Sequence, residues 1–262
     1  YTSPPAGNVH EGVAIMTALA AHTKNVQVGN YMFCLPFRNP ALLAQAAVTI
    51  DHVSNGRCNL GIGAGWLKEE FDDFGWEFGS LGERMHRREE GLQVIHDLLR
   101  TGESDFKGTY YQMDHARLYL RPVNPKLPIW LGGTGPKRTP ALAARFADGF
   151  NAPFLSTADF KNRMDVLDRA CEAVKRDPKT VQRSTNLLFK MGADELSAAR
   201  NQKEMTGNPR EGGSLVGSAQ QVMDRIGEYQ NAGADFINIA LAPPYDLEAF
   251  EAFIAQVMPA FK

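Results

Sequence analysis

Short apolar stretches alternate with longer segments of helical periodicity along the whole chain, and this alternation limits the fold more than any other feature. Strands are expected near 26–33, 59–63, 129–131, 149–152, 185–191 and 236–241. The intervening segments carry apolar residues at three- and four-residue spacing. After Asn39 and Pro40, a favoured helix start, the stripe is Leu43, Ala46, Ala47, Ile50 and Val53, and Asn55-Gly56 ends it. A second stripe is Met85, Leu92, Ile95 and Leu99. A third, behind a capping box at Ser156 and Asp159, is Phe160, Met164, Leu167, Cys171 and Val174. Ser218 and Gln221 cap another helix that Gly233 closes, and Phe250, Phe253, Ile254 and Val257 lie on the last. Strands joined through helices imply a parallel sheet with helical crossovers.

Two architectures satisfy that pattern. A doubly wound open sheet usually carries G-x-G-x-x-G after its first strand. Here Gly61-Ile-Gly63-Ala-Gly65-Trp66 breaks the spacing and puts Trp66 at the third glycine position. A (β/α)8 TIM barrel fits better, with those glycines at the C-terminal end of a strand, where barrel sites sit. Six strands are visible and a closed barrel has eight. At roughly 30 residues per βα step, about 60 residues are then expected ahead of Tyr1, so the first one or two βα units are missing from this reading. A chain of 262 residues, 44% hydrophobic, suits a single domain over residues 1–262.

The segment Pro128-Ile-Trp-Leu-Gly-Gly-Thr-Gly-Pro-Lys-Arg-Thr139 carries the strongest local signal for a ligand. A strand runs into Gly132, Gly133, Thr134 and Gly135, and an Ala-rich helix follows. Glycines let backbone approach a ligand closely. The helix start adds unpaired N–H groups and the positive end of a dipole, which suit a phosphate. Thr134 adds a hydroxyl, and Lys137 and Arg138 add charge. The segment also reads as a plain turn from strand to helix, and its own residues leave both readings open.

A net charge of −2 gives no reason to expect nucleic acid or an anionic membrane as partner. Cys34, Cys58 and Cys171 are widely spaced and show no metal-ligand pattern, which fits reduced core thiols of a cytoplasmic protein. No metal site is expected. No apolar run reaches membrane-spanning length, and the N-terminus lacks a signal-peptide layout.

Between the strands, residues 65–82 form an aromatic, acid-rich excursion with Trp66, Phe71, Phe74, Trp76 and Phe78, readable as a lid or as a dimer contact. Residues 106–120 read as a surface hairpin, and 194–213 as a polar, helical excursion. His52 reads as structural; His22, His86, His96 and His115 show no partner spacing. Arg84 or Arg87 could reach a cofactor tail but fits a solvated helix face better, and Arg38 reads as a brace.

Several stretches together resemble the bacterial luciferase-like superfamily of flavin- and deazaflavin-dependent oxidoreductases. They are Thr23-Lys-Asn-Val-Gln-Val-Gly29, Phe37-Arg-Asn-Pro-Ala-Leu-Leu-Ala44, Ile50-Asp-His-Val-Ser-Asn-Gly-Arg57, Leu60-Gly-Ile-Gly-Ala-Gly-Trp66, Pro128 to Gly135, Ala144-Arg-Phe-Ala-Asp-Gly-Phe-Asn151 and Gly217 to Asp235. The resemblance implies an α/β, luciferase-like barrel and a homodimer. Gly132, Gly133, Thr134 and Gly135 match the family's loop around the cofactor phosphate. Asn30, Tyr31 and Met32 match the strand end beneath the cofactor ring, where a non-prolyl cis peptide is expected at Tyr31–Met32. Ala64 and Gly65 match a second strand end beside the cofactor. At the position of Trp66 some deazaflavin members carry a carboxylate; an aromatic there could wall the substrate pocket. His10, by its place ahead of the first helix, reads either as a substrate or ring contact or as a loop histidine bonded to backbone, the latter the better fit.

The activity implied is an FMN-dependent monooxygenase or related oxidoreductase acting on a small organic substrate, with reduced flavin supplied by a partner reductase. A coenzyme F420-dependent enzyme transferring hydride is the alternative. A flavin-binding protein or fragment without turnover is the third reading, because family acids and histidines often sit on the strands expected ahead of Tyr1. No catalytic residue is identified among those present.

Overall fold

The structure, a computed structural model, describes residues 10–241 and 243–261. The chain divides into two compact units. One runs to Gly132 and takes in Phe146–Asp148; the other comprises Gly133–Arg145 and the chain from Gly149 onward.

The first unit opens with α1 (Gly12–His22), whose N–H groups are capped by the Glu11 carboxylate at Ala14. Strands β1 (Val28–Gly29) and β2 (Phe33–Cys34) both pair in parallel with β3 (Cys58–Gly63). The strand expected over 26–33 is therefore one strand interrupted at residues 30–32. Helix α2 (Pro40–Ser54) starts at Asn39, whose side chain accepts from Ala41 and Leu42, and ends at Asn55 in the left-handed region. Its buried face is Leu43, Ala44, Ala47, Val48, Ile50, Asp51 and Ser54, so Val53 is exposed rather than core. The face turns that way because Asp51 and Ser54 are used internally. Asp51 accepts from Asn124 N (2.9 Å), and Ser54 Oγ accepts from Arg57 N (3.2 Å).

Downstream of β3 come α3 (Lys68–Asp73), α4 (Leu81–Arg100), a hairpin of β4 (Glu103–Ser104) with β5 (Ala116–Arg117), and β6 (Ile129–Gly132), which pairs in parallel with β3. Helix α4 carries a full capping box between Ser80 and Glu83 and buries Met85, Leu92, Ile95 and Leu99, as its spacing predicts. The Glu90 carboxylate on α4 accepts from Thr109, Tyr110 and Tyr111 N (2.7–3.1 Å), which fastens the hairpin turn to the helix.

The second unit holds α5 (Arg138–Phe146, up to Arg145), β7 (Gly149–Asn151), α6 (Thr157–Ala173), β8 (Gln182–Met191), α7 (Glu195–Met205), β9 (Ser214–Gly217), α8 (Ala219–Asn231), β10 (Phe236–Ala240) and α9 (Leu247–Ala252). Strand β8 pairs in parallel with β7, β9 and β10. Helix α6 buries Phe160, Met164, Leu167 and Cys171, while Val174 caps its end and is exposed. In the last segment Phe253 and Val257 are buried, and Ile254 is exposed where the helix widens into a π turn. The polar excursion of 194–213 is helical over α7, and the box at Ser218 and Gln221 is present. Among the described residues, no helix is long and apolar enough to cross a membrane.

Candidate cofactor site

The strand interruption in the first unit is a bulge. Gly29 pairs with Asn59 and Phe33 with Ile62, so three residues (30–32) face two (60–61). An extra residue bends a strand and re-aims its groups. The peptide bond between Tyr31 and Met32 is cis, where the resemblance placed one.

The neighbouring glycines are what the bulge requires. A Cβ on Gly61 would sit 1.9 Å from the Asn30 carbonyl oxygen and 2.7 Å from Met32 Sδ. On Gly63 it would lie 3.2 Å from Met32 Cβ, and on Gly132 2.9 Å from Met32 Cγ and Cε. Met32 is thus laid across three glycines at the C-terminal ends of β3 and β6. Asn30 turns its amide toward Gly12, and Tyr31, 41% exposed, meets the Trp130 ring edge-on at 5.8 Å.

Ala64 and Gly65 follow directly after β3. Gly65 has φ +80°, and a Cβ there would meet Phe71 Cζ at 2.7 Å and Cys34 Sγ at 2.8 Å. Phe71 is fully buried between Phe37 (4.5 Å) and Phe78 (4.9 Å), and Trp76 stacks on Phe37 at 5.9 Å. Trp66 and Phe74 are outside this cluster, 67% and 72% exposed. Burial pushes the Cys34 thiol up to about 12, so it stays protonated at neutral pH. Behind β3, the buried Arg88 donates to the Ile62 carbonyl (3.0 Å), and burial lowers its pKa to about 10.

In the second unit, Gly133 (φ +147°) donates its N–H to the Asn151 carbonyl at 3.0 Å. Thr134, Gly135, Lys137 and Arg138 are exposed. A Cβ on Gly135 would touch only Thr139 Oγ1, at 3.5 Å. The Lys137 carbonyl accepts from Ala141 N (3.3 Å) and so starts α5. The loop is therefore an open turn ahead of a helix N-terminus, and among the described residues the atoms nearest a Cβ at Gly133 or Gly135 are those of Thr139, at ordinary contact distance.

A polar row in this unit was not singled out by sequence. Asn151, Ser184, Asn186 and Asn238 lie on one face of β7, β8 and β10, with Asn151 opposite Ser184 and Asn186 opposite Asn238. The signal was present: along β8, Ser184 and Asn186 alternate with Thr185, Leu187, Phe189 and Met191, a two-residue period.

The other expected residues are placed as follows. His10 is exposed, just ahead of the Glu11 cap. Arg38 pairs with Glu11 (2.5 Å) and lies 5.0 Å over the Phe33 ring, as a brace does. Arg84 donates to Phe78 and Gly79 O and stacks on Phe78 at 3.6 Å; Arg87 faces Glu77 and the Tyr110 ring. Both are engaged in unit 1's own packing. His52 bonds the Arg121 carbonyl at 2.8 Å. His115, unlike the sequence reading, has a partner: its ring lies 2.8 Å from Asp105.

Comparison with known proteins bears on family and fold. The family described as luciferase-like monooxygenase matches residues 2–210. The F420-dependent glucose-6-phosphate dehydrogenase of Amycolatopsis mediterranei is 32% identical over 219 residues, covering 81% of this chain and 64% of the relative. The pyrimidine monooxygenase RutA of Bradyrhizobium sp. is 34% identical over 200 residues, covering 72% of this chain and 52% of the relative. The chain thus spans about half to two-thirds of the length of these relatives. Among solved structures, the coenzyme F420-dependent tetrahydromethanopterin reductase from Methanopyrus kandleri superposes with a TM-score of 0.80 at 20% identity, over 95% of this chain and 87% of that one. That likeness shows the expected α/β, luciferase-like fold.

Proposed function

The chain belongs to the luciferase-like monooxygenase family, and on that premise we propose that it acts as a reduced-flavin (FMN) monooxygenase or related oxidoreductase on a small organic substrate. The observation that carries this reading is the loop Gly133-Thr134-Gly135 ahead of α5, where a Cβ added at either glycine would meet nothing nearer than the Thr139 side chain at 3.4–3.5 Å, which leaves the backbone open to a phosphate. When bound, the flavin would supply the redox chemistry, and the protein positions it and excludes water.

The residues divide that work. In the loop Gly132 to Gly135, the backbone N–H groups of Thr134 and Gly135 and the Thr134 hydroxyl donate to phosphate oxygens, the Gly133 N–H being held by the Asn151 carbonyl, and Lys137 and Arg138 offset the charge. Asn30, Tyr31 and Met32, with Ala64 and Gly65, serve the ring side, where Met32 fills the space left by the glycines around it. Trp66 and His10 serve the substrate. A separate reductase as flavin donor, assembly as a homodimer and a cytoplasmic setting complete the proposal.

A second reading, hydride transfer with coenzyme F420, is favoured by the 32% identity to an F420-dependent dehydrogenase. Titration of the protein with FMN and, separately, with F420, followed by fluorescence, separates the two. Tight FMN binding with oxygen uptake in the presence of a reductase supports the monooxygenase. Preference for F420 transfers the assignment to hydride transfer. If neither cofactor binds, both readings are lost and the loop is only a turn.

A further inference from the structure

The asparagines of the second unit form a network whose unused atoms have a definite pattern. Asn151 Nδ2 donates to Ser184 Oγ (2.8 Å) and to Asn186 Oδ1 (3.1 Å). Asn238 Nδ2 donates to the same Asn186 Oδ1 (3.1 Å) and approaches the Thr185 carbonyl (3.5 Å). The Thr185 carbonyl can only accept, so Asn238 must turn its NH2 that way. Its neighbour Asn186 must then present oxygen, and Asn151 must present nitrogen. One orientation of all three amides is thereby selected.

Three groups are left over: Asn151 Oδ1, Asn186 Nδ2 and Asn238 Oδ1. No hydrogen bond involves them among the described residues, and none is sealed away from solvent. They follow the strand order β7, β8, β10 as acceptor, donor, acceptor. Asn151 is 2% exposed and Ser184 fully buried, so the platform is braced from behind. An amide carbonyl left without a donor is costly once a ligand covers it, so an occupant must satisfy this order.

We propose that these three asparagines form a binding platform for a cyclic urea edge, N–H, C=O, N–H. The urea oxygen accepts from Asn186 Nδ2, and its two N–H groups donate to Asn151 Oδ1 and Asn238 Oδ1. An imide edge (C=O, N–H, C=O) presents the reverse order and sets carbonyl against carbonyl. Two sources offer a urea edge: a substrate heterocycle such as a 2,4-dioxopyrimidine or hydantoin, and the pyrimidine ring of the cofactor in its fully reduced form protonated at N1. The inference rests on the oxidoreductase reading only for the ligand's role, not for its binding.

The test is ligand-observed NMR on the full chain with imidazolidin-2-one, its N,N′-dimethyl analogue and succinimide. Imidazolidin-2-one should bind, and the other two roughly tenfold or more weakly, as loss of two ordinary hydrogen bonds implies. Asn186→Asp keeps the acceptor for both neighbours but replaces the central donor with an oxygen; a folded variant, checked by circular dichroism, should lose the urea signal. Displacement of the probe by reduced FMN assigns the platform to the cofactor ring, and simultaneous binding assigns it to the substrate. Absence of urea binding, equal binding of succinimide, or an unaffected Asn186→Asp protein overturns the proposal. Because FMN and F420 titrations do not use these probes, the platform can fail while the cofactor reading stands, and the reverse.

Discussion

The end of β3 and the turn that opens the second unit are both glycine-rich, Gly61-Ile-Gly63-Ala-Gly65 in one and Gly133-Thr134-Gly135 in the other. In the first, the missing side chains are replaced by protein. The Asn30 carbonyl, Met32, Cys34 and Phe71 occupy the space a Cβ would need. In the second, Gly135 faces nothing nearer than a hydroxyl at 3.5 Å. A run of glycines signals only that something comes close to the backbone; the structure decides whether that something is the chain's own bulge or a ligand.

If this contrast is right, substitutions at the first site should read out as stability and at the second as binding. Gly61→Ala carries the largest effect. Its Cβ would lie 1.9 Å from a backbone oxygen of the bulge, which cannot swing aside as a side chain can. Overpacking of this kind costs about 3 kcal/mol or more. Urea denaturation should show the loss, or the variant should fail to accumulate; a midpoint within error of the parent would mean the bulge is not where it is described.

Next in size is Gly65→Ala, which combines a left-handed backbone with contact on Phe71 and Cys34 and should cost about 2 kcal/mol. It has a second readout. Cys34 is held as a thiol by burial, its pKa near 12. Alkylation at pH 8 should be slow in the parent and faster once Gly65→Ala loosens its cover, because the thiolate is the reacting form. Unchanged alkylation alongside lost stability would place the damage elsewhere.

Gly132→Ala should cost less, about 1 kcal/mol, since the atoms it meets belong to the flexible Met32 side chain. A double-mutant cycle with Met32→Ala isolates that contact. The truncation alone should destabilise, and the pair should be more stable than the two single effects predict. Simple additivity would show that Met32 does not lie on Gly132.

How much of this was legible in the sequence follows the same division. Periodicity located the expected strands and most helix faces but passed over β9, whose four residues are too short to show a pattern, and the caps Asn39, Ser156 and Ser218 sit at the structural boundaries. Val53 was misplaced because a hydrophobicity stripe cannot see that Asp51 and Ser54 are buried for their hydrogen bonds. The bulge at 30–32 was invisible as such, since an extra residue shows only against a partner strand's register. Trp66 and Phe74 were grouped with Phe71 by composition, but Phe71 is the buried residue of α3, while Trp66 precedes that helix and Phe74 caps its end, both exposed. The asparagine row escaped notice because its members lie far apart in the chain and meet only across β7, β8 and β10.

Gly135→Ala carries the smallest stability effect and the sharpest test of the second site. Gly133 is a poorer probe: with φ +147°, Gly133→Asp should abolish cofactor binding but would also strain the backbone, so lost binding there has two causes. Gly135 is not among the residues with positive φ, and its Cβ would reach only an ordinary contact with Thr139 Oγ1. Stability should therefore stay within about 0.5 kcal/mol of the parent. A methyl group standing where the backbone must approach a phosphate should nevertheless weaken FMN binding about tenfold, measured by fluorescence titration on the same sample. Unaltered affinity with unaltered stability would mean that the open turn is open for no ligand, and the difference between the two glycine runs would then be one of packing alone.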